Sequence, residues 1–303
     1  MADAAPGWEL YRTLLGVLRE GSLSGAARAL GLTQPTVGRH LDALEASLGA
    51  PLFVRSQHGV APTDLALELR PYAEALQANA DALLRAAGGH GEGVRGTVRI
   101  TASEIIGAEV LPPIIAAMQR RYPDLTVELV LSNRLDDLLQ READVAVRMT
   151  PPTQQALVAK RIGAIELGLH ARRDYLDRRG TPTGIEDLRN HLVLGFDTET
   201  AFIRSLRERG VPLDRTMFSL RTDSDLAQLA SIRAGCGIGV CQVPIARRDP
   251  ALVRILADAF TIPLETWIVM HENLRSSARC RAAFDALVAG LAAHIATQAD
   301  ERL

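Results

Sequence analysis

Residues 24–55 read SGAARALGLTQPTVGRHLDALEASLGAPLFVR, and this stretch decides the N-terminal fold. Ser24 suits the N-cap of a helix, where a hydroxyl accepts from an otherwise unpaired backbone N–H. Ala26, Ala27 and Ala29 are small enough to let a second helix approach closely. Gly31 stands where the chain must turn sharply, and glycine takes a positive φ at little cost. Thr33 then caps the next helix, with Pro35 in its first turn, where a missing N–H does no harm. Val37, Leu41, Leu44 and Leu48 follow at helical spacing and predict one buried stripe. Thr33, Gln34, Pro35, Thr36, Gly38, Arg39, His40 and Asp42 are left on other faces. A helix, a tight turn and a second amphipathic helix are the parts with which proteins place side chains in the DNA major groove. Gln34 and Arg39 suit base edges or phosphates.

Working outward, Trp8, Leu10, Leu14, Leu15 and Leu18 predict a supporting helix upstream. Downstream, residues 51–55 and 60–62 read as two short strands around Gln57, His58 and Gly59, a wing that sets Arg55 against a phosphate backbone. The head is close to neutral: Arg12, Arg19, Arg28, Arg39 and Arg55 are matched by Asp3, Glu9, Glu20, Asp42, Glu45 and Asp64. DNA affinity therefore has to come from local placement of arginines and helix N-termini, doubled by dimerisation. The competing reading is a plain helical hairpin packed in a core.

The segment resembles the N-terminal winged helix of the LysR-type transcriptional regulators. The matching residues are Ser24, Ala26, Ala27, Leu30, Thr33, Gln34, Pro35, Val37, Arg39, Leu41, Leu44, Glu45, Leu48, Gly49 and the run 51–55. The resemblance implies that Gln34, Pro35, Arg39 and Arg55 contact DNA, with Thr33 and Thr36 nearby. Two positions depart from the pattern: Gly38, where the family usually has Ser, and His40, where it often has Gln. Gly38 removes a hydroxyl contact and costs roughly 1 kcal/mol of helix propensity.

From residue 64 the chain runs DLALELRPYAEALQANADALLRAAGGHGEG. Leu65, Leu69, Tyr72, Leu76, Asn79 and Leu83 alternate four and three apart, which is the heptad seam of a helix paired with another helix. The alternative is a lone amphipathic helix packed on its own domain. Asn79 breaks the seam and is of the kind that fixes register or partner number. Pro71 is expected to bend or loosen the first turns. Glycines 88, 89, 91, 93 and 96 follow as a hinge. The resemblance implies that this helix dimerises the DNA heads, and that the whole is a homotetramer.

Beyond the glycines the pattern alternates between strands and helices, which favours a parallel sheet with crossover helices. Strands are expected at 98–102, 125–131, 144–148, 165–170, 192–196, 216–222, 237–241 and 267–272. Helices are expected at 105–121, 135–140, 201–209, 224–234 and 278–296. Two α/β lobes joined by crossing strands make a cleft, and the resemblance supplies the same answer, a fold like the periplasmic binding proteins. The fold class is thus α/β, with an N-terminal winged helix-turn-helix over 1–63, a long linker helix and hinge over 64–93, and a two-lobed effector domain over 94–303. Lobe I is expected at about 94–164 and 266–303, and lobe II at about 165–265.

Ligands in open α/β sheets sit beyond the carboxyl ends of strands. That rule selects Ser103, Asn133 and Arg148 in lobe I, and Phe196, Phe202, Thr222 and the glycine turn at Gly237 in lobe II. Ser103 precedes a helix, so its hydroxyl and the following N–H groups suit a carboxylate, with Arg148 adding charge. Each has a plainer reading: Ser103 as a simple cap, Arg148 as a surface ion pair, Phe202 as core. Glu104 would repel an anion if it faced inward. The run GCGIG at 235–239 is no dinucleotide fingerprint, because position 240 is Val and a helix precedes it. Cys236 and Cys241 read as two small buried hydrophobes in preference to a redox pair.

Composition bounds the rest. At 303 residues the chain has room for two or three domains; 47% hydrophobic and 23% charged residues are ordinary for a globular protein, and a net charge of −2 excludes a polycation. Three cysteines without a CxxC pair argue against a disulfide framework and a zinc site, so no metal and no cofactor are expected. No stretch reaches the roughly 20 apolar residues that span a bilayer, and MADAAPGWELYR lacks a signal pattern, so a cytoplasmic home away from the membrane is expected. The function expected is a regulator that binds double-stranded DNA and senses a small-molecule effector, a carboxylate being one class that suits. An enzyme is disfavoured by the lack of GxxxxGK[ST], HExxH and GxSxG. A solute-binding sensor whose helical module contacts proteins, and a thiol redox regulator, are the alternatives.

Overall fold

The computed structural model describes residues 5–56, 59–88, 93–133, 143–152, 157–199, 201–208 and 215–297. The chain divides into two units, the first running to Gly88.

In the first unit, α1 (Trp8–Glu20), α2 (Leu23–Leu30) and α3 (Gln34–Leu48) are followed by a hairpin of β1 (Phe53–Ser56) and β2 (Gly59–Pro62), and then by α4 (Asp64–Gly88). Leu14, Leu15, Leu44, Leu52, Ala66 and Ala73 form one core cluster, and Val17, Ala26, Ala27, Val37 and Leu41 a second. Gly31 has φ 68° and closes α2 by donating to the Ala27 and Arg28 carbonyls, as the turn required. Thr33 caps α3 by accepting from the Thr36 N–H, with proline in the first turn. The cap of α2, however, is Ser22 and not Ser24, because the helix starts at Leu23; Ser22 Oγ accepts from the Gly25 N–H at 3.1 Å. Leu48 also departs from the stripe. It is 38% exposed, in the last turn of α3.

The wing is fixed to α3 by Glu45, whose Oε1 accepts from the Leu52 N–H at 2.6 Å and the Phe53 N–H at 3.1 Å. α4 runs 25 residues with Pro71 inside it. Leu65 and Leu69 pack on the head, whereas Tyr72, Leu76 and Leu83 are 72%, 45% and 70% exposed. Asn79 spends its amide donor on the Ala75 carbonyl of its own helix, at 2.8 Å.

The second unit is built on one seven-stranded sheet. β3 (Gly96–Ala102) pairs in parallel with β4 (Leu125–Leu131) and β5 (Val145–Arg148). Between β3 and β4 the expected single helix over 105–121 is divided into a π turn, Ile106–Val110, and α5 (Leu111–Arg121). The reason is local: Pro112 and Pro113 have no N–H to give to a preceding turn, and the Leu111 N–H reaches back to Ile106 O instead.

Two long antiparallel strands, β6 (Leu157–Arg172) and β11 (Thr261–His271), pair along their whole length and join the lobes. β11 meets β5 at one end, and β6 meets β9 (Gly239–Gln242) and β10 (Leu252–Ile255) at the other. Lobe II adds α6 (Arg173–Arg179), β7 (Val193–Gly195), α7 (Ala201–Glu208), β8 (Phe218–Arg221), α8 (Asp225–Arg233) and α9 (Val243–Ala246). α10 (Ala278–Ala296) returns to lobe I and buries Cys280, Ala283, Phe284, Leu287 and Leu291 in its core.

β6 and β11 are longer than the expected 165–170 and 267–272, and β10, α6 and α9 add to the expected elements. The expected helix at 135–140 lies outside the described residues, as does Arg209. Gly237 is buried, and a Cβ there would stand 2.2 Å from the Leu192 carbonyl oxygen. Its role in the fold is to let β9 approach the neighbouring backbone, where Ile238 N–H donates to Leu192 O at 2.8 Å.

Candidate nucleic-acid interface and effector crevice

The exposed N-terminal face of α3 carries a connected row of side chains. Thr33 Oγ1 lies 2.8 Å from Thr36 Oγ1, and the Arg39 guanidinium donates to Thr36 Oγ1 at 3.3 Å. Spacing three apart along a helix puts all three on one face. Thr33, Gln34, Pro35 and Arg39 are exposed, and Thr36 is half-buried. No acidic residue stands in the first turn of α3, so the positive end of the helix is left for an anion such as a DNA phosphate. Arg55 lies on β1 opposite Val60; its side chain is outside the described residues. His40 is turned the other way. Thr13 is fully buried and its hydroxyl donates to Glu9 O, so His40 Nδ1–H donates to Thr13 Oγ1 at 2.8 Å and pins α3 to α1.

In the second unit the sequence-selected residues fall into groups. Ser103 and Glu104 follow β3, Asn133 lies beyond the end of β4, and both groups meet the N-terminus of α8 from lobe II. Glu104 N–H donates to Asn133 Oδ1 at 3.1 Å, and Asn133 Nδ2 donates to Asp225 Oδ2 at 3.1 Å. The Glu104 carboxylate faces inward: its Oε2 accepts from Ser224 Oγ at 3.0 Å and from the Leu226 N–H at 3.3 Å. Burial raises the Asp225 carboxyl above its ordinary value, and the neighbouring Glu104 charge adds to that, against the lowering effect of Asn133. Ser103 contributes its carbonyl to the Gly107 N–H at 2.8 Å.

Thr222 supports the same helix end, its Oγ1 accepting from the Ser224 N–H and its carbonyl from Gln228 Nε2. Arg148 is 6% exposed and donates to Thr101 Oγ1 and to Val147 O, so it is a buried residue and not a surface one. Phe196 lines a small apolar cavity of about 30 Å³ inside lobe II, with Gly195, Met217 and Phe218. Phe202 lies on α7, its side chain outside the described residues.

Sequence reasoning missed the clasp by Glu104 and the role of Glu45. The first reaches 120 residues along the chain to Ser224, and nothing local signals such a distant cap. The cysteines divide. Cys241 is buried and its thiol is pushed up to about 12 by that burial, which suits an inert core residue. Cys236 is exposed, contrary to expectation. Among the described residues no group of three ligating side chains stands together to hold a metal, and no helix is long and apolar enough to cross a membrane.

Comparison with known proteins assigns both units. Residues 8–67 match the family model of bacterial regulatory helix-turn-helix proteins of the lysR family, and residues 91–292 match the LysR substrate binding domain. The chain belongs to the LysR family. It is a LysR-type DNA-binding transcriptional regulator with an effector-binding domain. It is 26% identical over 279 residues to a probable HTH-type transcriptional regulator, LtrA, of Klebsiella pneumoniae, covering 89% of this chain and 90% of the relative. It is 27% identical over 212 residues to an HTH-type transcriptional regulator of Xanthomonas campestris pv. campestris, covering 70% of this chain and spanning 59% of that protein's length. The structure of full-length CbnR in complex with its target DNA superposes with a TM-score of 0.64 at 19% identity, over 96% of this chain and 99% of that one. At that identity the likeness speaks to the fold. The mixed α/β architecture with a two-lobed effector domain is that of LysR-type regulators.

Proposed function

We propose that this LysR-type regulator reads double-stranded DNA with the N-terminal face of α3, through Thr33, Gln34, Pro35, Thr36 and Arg39, and with Arg55 on the wing. The observation that carries the reading is the row Thr33, Thr36 and Arg39 on a helix end with no acidic residue in its first turn. Phosphate contacts from such a helix end position the protein, and the exposed Gln34 and Arg39 are the side chains suited to reading bases. The CbnR complex with its target DNA supports the same use of the fold.

The apolar face of α4 pairs two subunits, so that two heads meet two half-sites, and a homotetramer is the assembly in which this occurs. The working domains are 1–63, 64–93 and 94–303. The protein acts in the cytoplasm and catalyses no reaction. A small-molecule effector enters the crevice between the lobes, where Ser103, Asn133 and Thr222 lie. By binding one arrangement of the lobes more tightly than another, it changes how the heads bind or bend the operator.

Gel-shift and footprinting titrations with the intergenic DNA beside the gene test this reading. A salt-dependent protected site is expected, and R39A should weaken it by about 1–3 kcal/mol and lower the salt slope. Absent or salt-independent binding removes the DNA reading.

A further inference from the structure

The crevice contains a carboxylate already, and the carboxylate belongs to the chain. Glu104 follows β3 of lobe I; its Oε2 accepts from Ser224 Oγ at 3.0 Å and from the Leu226 N–H at 3.3 Å, both in the first turn of α8 in lobe II. Backbone N–H groups at a helix start carry partial positive charge, and this is where an anionic ligand group gains most. Glu104 fills that place. Its own N–H is held by Asn133, which also donates to Asp225, so the contact is braced from both lobes.

Resting on the reading of this crevice as the effector site, we propose that Glu104 is its specificity-determining residue. The Glu104 carboxylate is a built-in occupant of the α8 N-terminus that ties the lobes together, and it excludes small carboxylates from that position. An incoming anion would make a third negative group beside Glu104 and Asp225. The raised Asp225 carboxyl agrees, since that group already feels burial and the Glu104 charge. The effector that suits this crevice therefore presents an uncharged or positively charged end to α8. This departs from the carboxylate that Ser103 and Arg148 suggested in the sequence.

The test is chemical rescue in the full chain. Melting temperatures are measured for wild type, E104A, E104S and E104Q in acetate, in formate and in chloride at matched ionic strength. E104A should melt below wild type in chloride and recover in acetate or formate, because the free carboxylate takes the vacated Leu226 N–H and Ser224 hydroxyl. Wild type should gain nothing from acetate over chloride. E104Q fills the space without charge and should also gain nothing. E104S leaves the same opening and supplies the comparison if E104A does not fold.

Equal stabilisation of E104A by acetate and chloride overturns the proposal. So does a gain in wild type as large as in E104A. The readout needs no DNA, so loss of operator binding leaves this result standing, and failed rescue leaves the DNA reading untouched.

Discussion

Arg233 donates through both terminal nitrogens to the Glu109 carboxylate, at 2.7 and 2.9 Å, and so ties the C-terminal end of α8 to the π turn of lobe I. Arg248 braces the same residue by donating to Glu109 O at 2.6 Å. With Glu104 at the other end, α8 is gripped by lobe I at both termini. The bidentate pair is the stronger geometry for such a contact, although its partly exposed setting reduces its worth.

R233M and E109Q are each expected to lower effector-domain stability by about 1 kcal/mol, and the double variant by less than the sum. The Arg233 hydrogen bond holds the Glu109 carboxyl below its ordinary value, against burial, with the Arg233 and Arg248 charges adding to it. A depressed carboxyl stabilises the fold above its unfolded value and loses that contribution as pH falls through the folded one. The deficit of R233M should therefore be full at neutral pH and shrink in acid. Denaturant melts across that range check it; strictly additive effects would show that the two side chains do not work as a pair.

Two glycines should respond to alanine with opposite signs. At Gly38 an added Cβ meets nothing within 4 Å, so Gly38→Ala should stabilise the head by about 1 kcal/mol through helix propensity. At Gly237 the same Cβ would lie 2.2 Å from backbone oxygen of Leu192, which cannot swing aside, so Gly237→Ala should destabilise by about 3 kcal/mol. Calorimetry on both variants reads the two signs directly. A neutral Gly237→Ala would mean that β7 and β9 are not held as closely as the Ile238–Leu192 hydrogen bond requires.

The linker helix makes a different kind of claim. Tyr72, Leu76 and Leu83 share one heptad seam and are all left exposed in a single chain. Burying each against a partner helix is worth roughly 2 kcal/mol. Leu76→Glu with Leu83→Glu should convert the assembly to smaller species in sedimentation and weaken operator binding in parallel, with the head still folded by circular dichroism. An unchanged sedimenting mass would place the dimer contact elsewhere.

These expectations also show what the sequence made legible. Local chemistry was readable: Gly31 in its turn, Thr33 with Pro35 at a helix start, and the strand at 125–131, which begins and ends where the alternation said. Residues set by distant partners were not. His40 looks like a surface position on a helix wheel, and only the buried Thr13 hydroxyl draws it inward. The length of β6 is not legible in the sequence because Leu157–Arg172 is half exposed at one end and buried at the other, so no single period runs through it. Glu104 read as a charge that would repel an anion if it faced inward, and its bonds to Ser224 and Leu226 had no local signal.

His170 gives the effector domain an acid sensitivity of its own. It sits on β6 at 2% exposure, and its Nδ1–H donates to Gly168 O at 3.0 Å. Burial pushes its pKa down to about 4; the Gly168 hydrogen bond and the Glu166 charge oppose that, while Arg254 and Arg247 add to it. The ring is therefore neutral when folded at neutral pH. Unfolding restores a value near 6.5, so between that value and about 4 the unfolded chain binds the extra proton. Stability is full above the unfolded value and declines as pH drops, by on the order of 3 kcal/mol for this one group. His170→Gln removes the titration, so wild type should lose more stability than the variant over that interval, with His294 declining equally in both because burial lowers it likewise. Parallel stability–pH curves for the two proteins would mean that His170 reaches solvent, or a partner, before the domain unfolds.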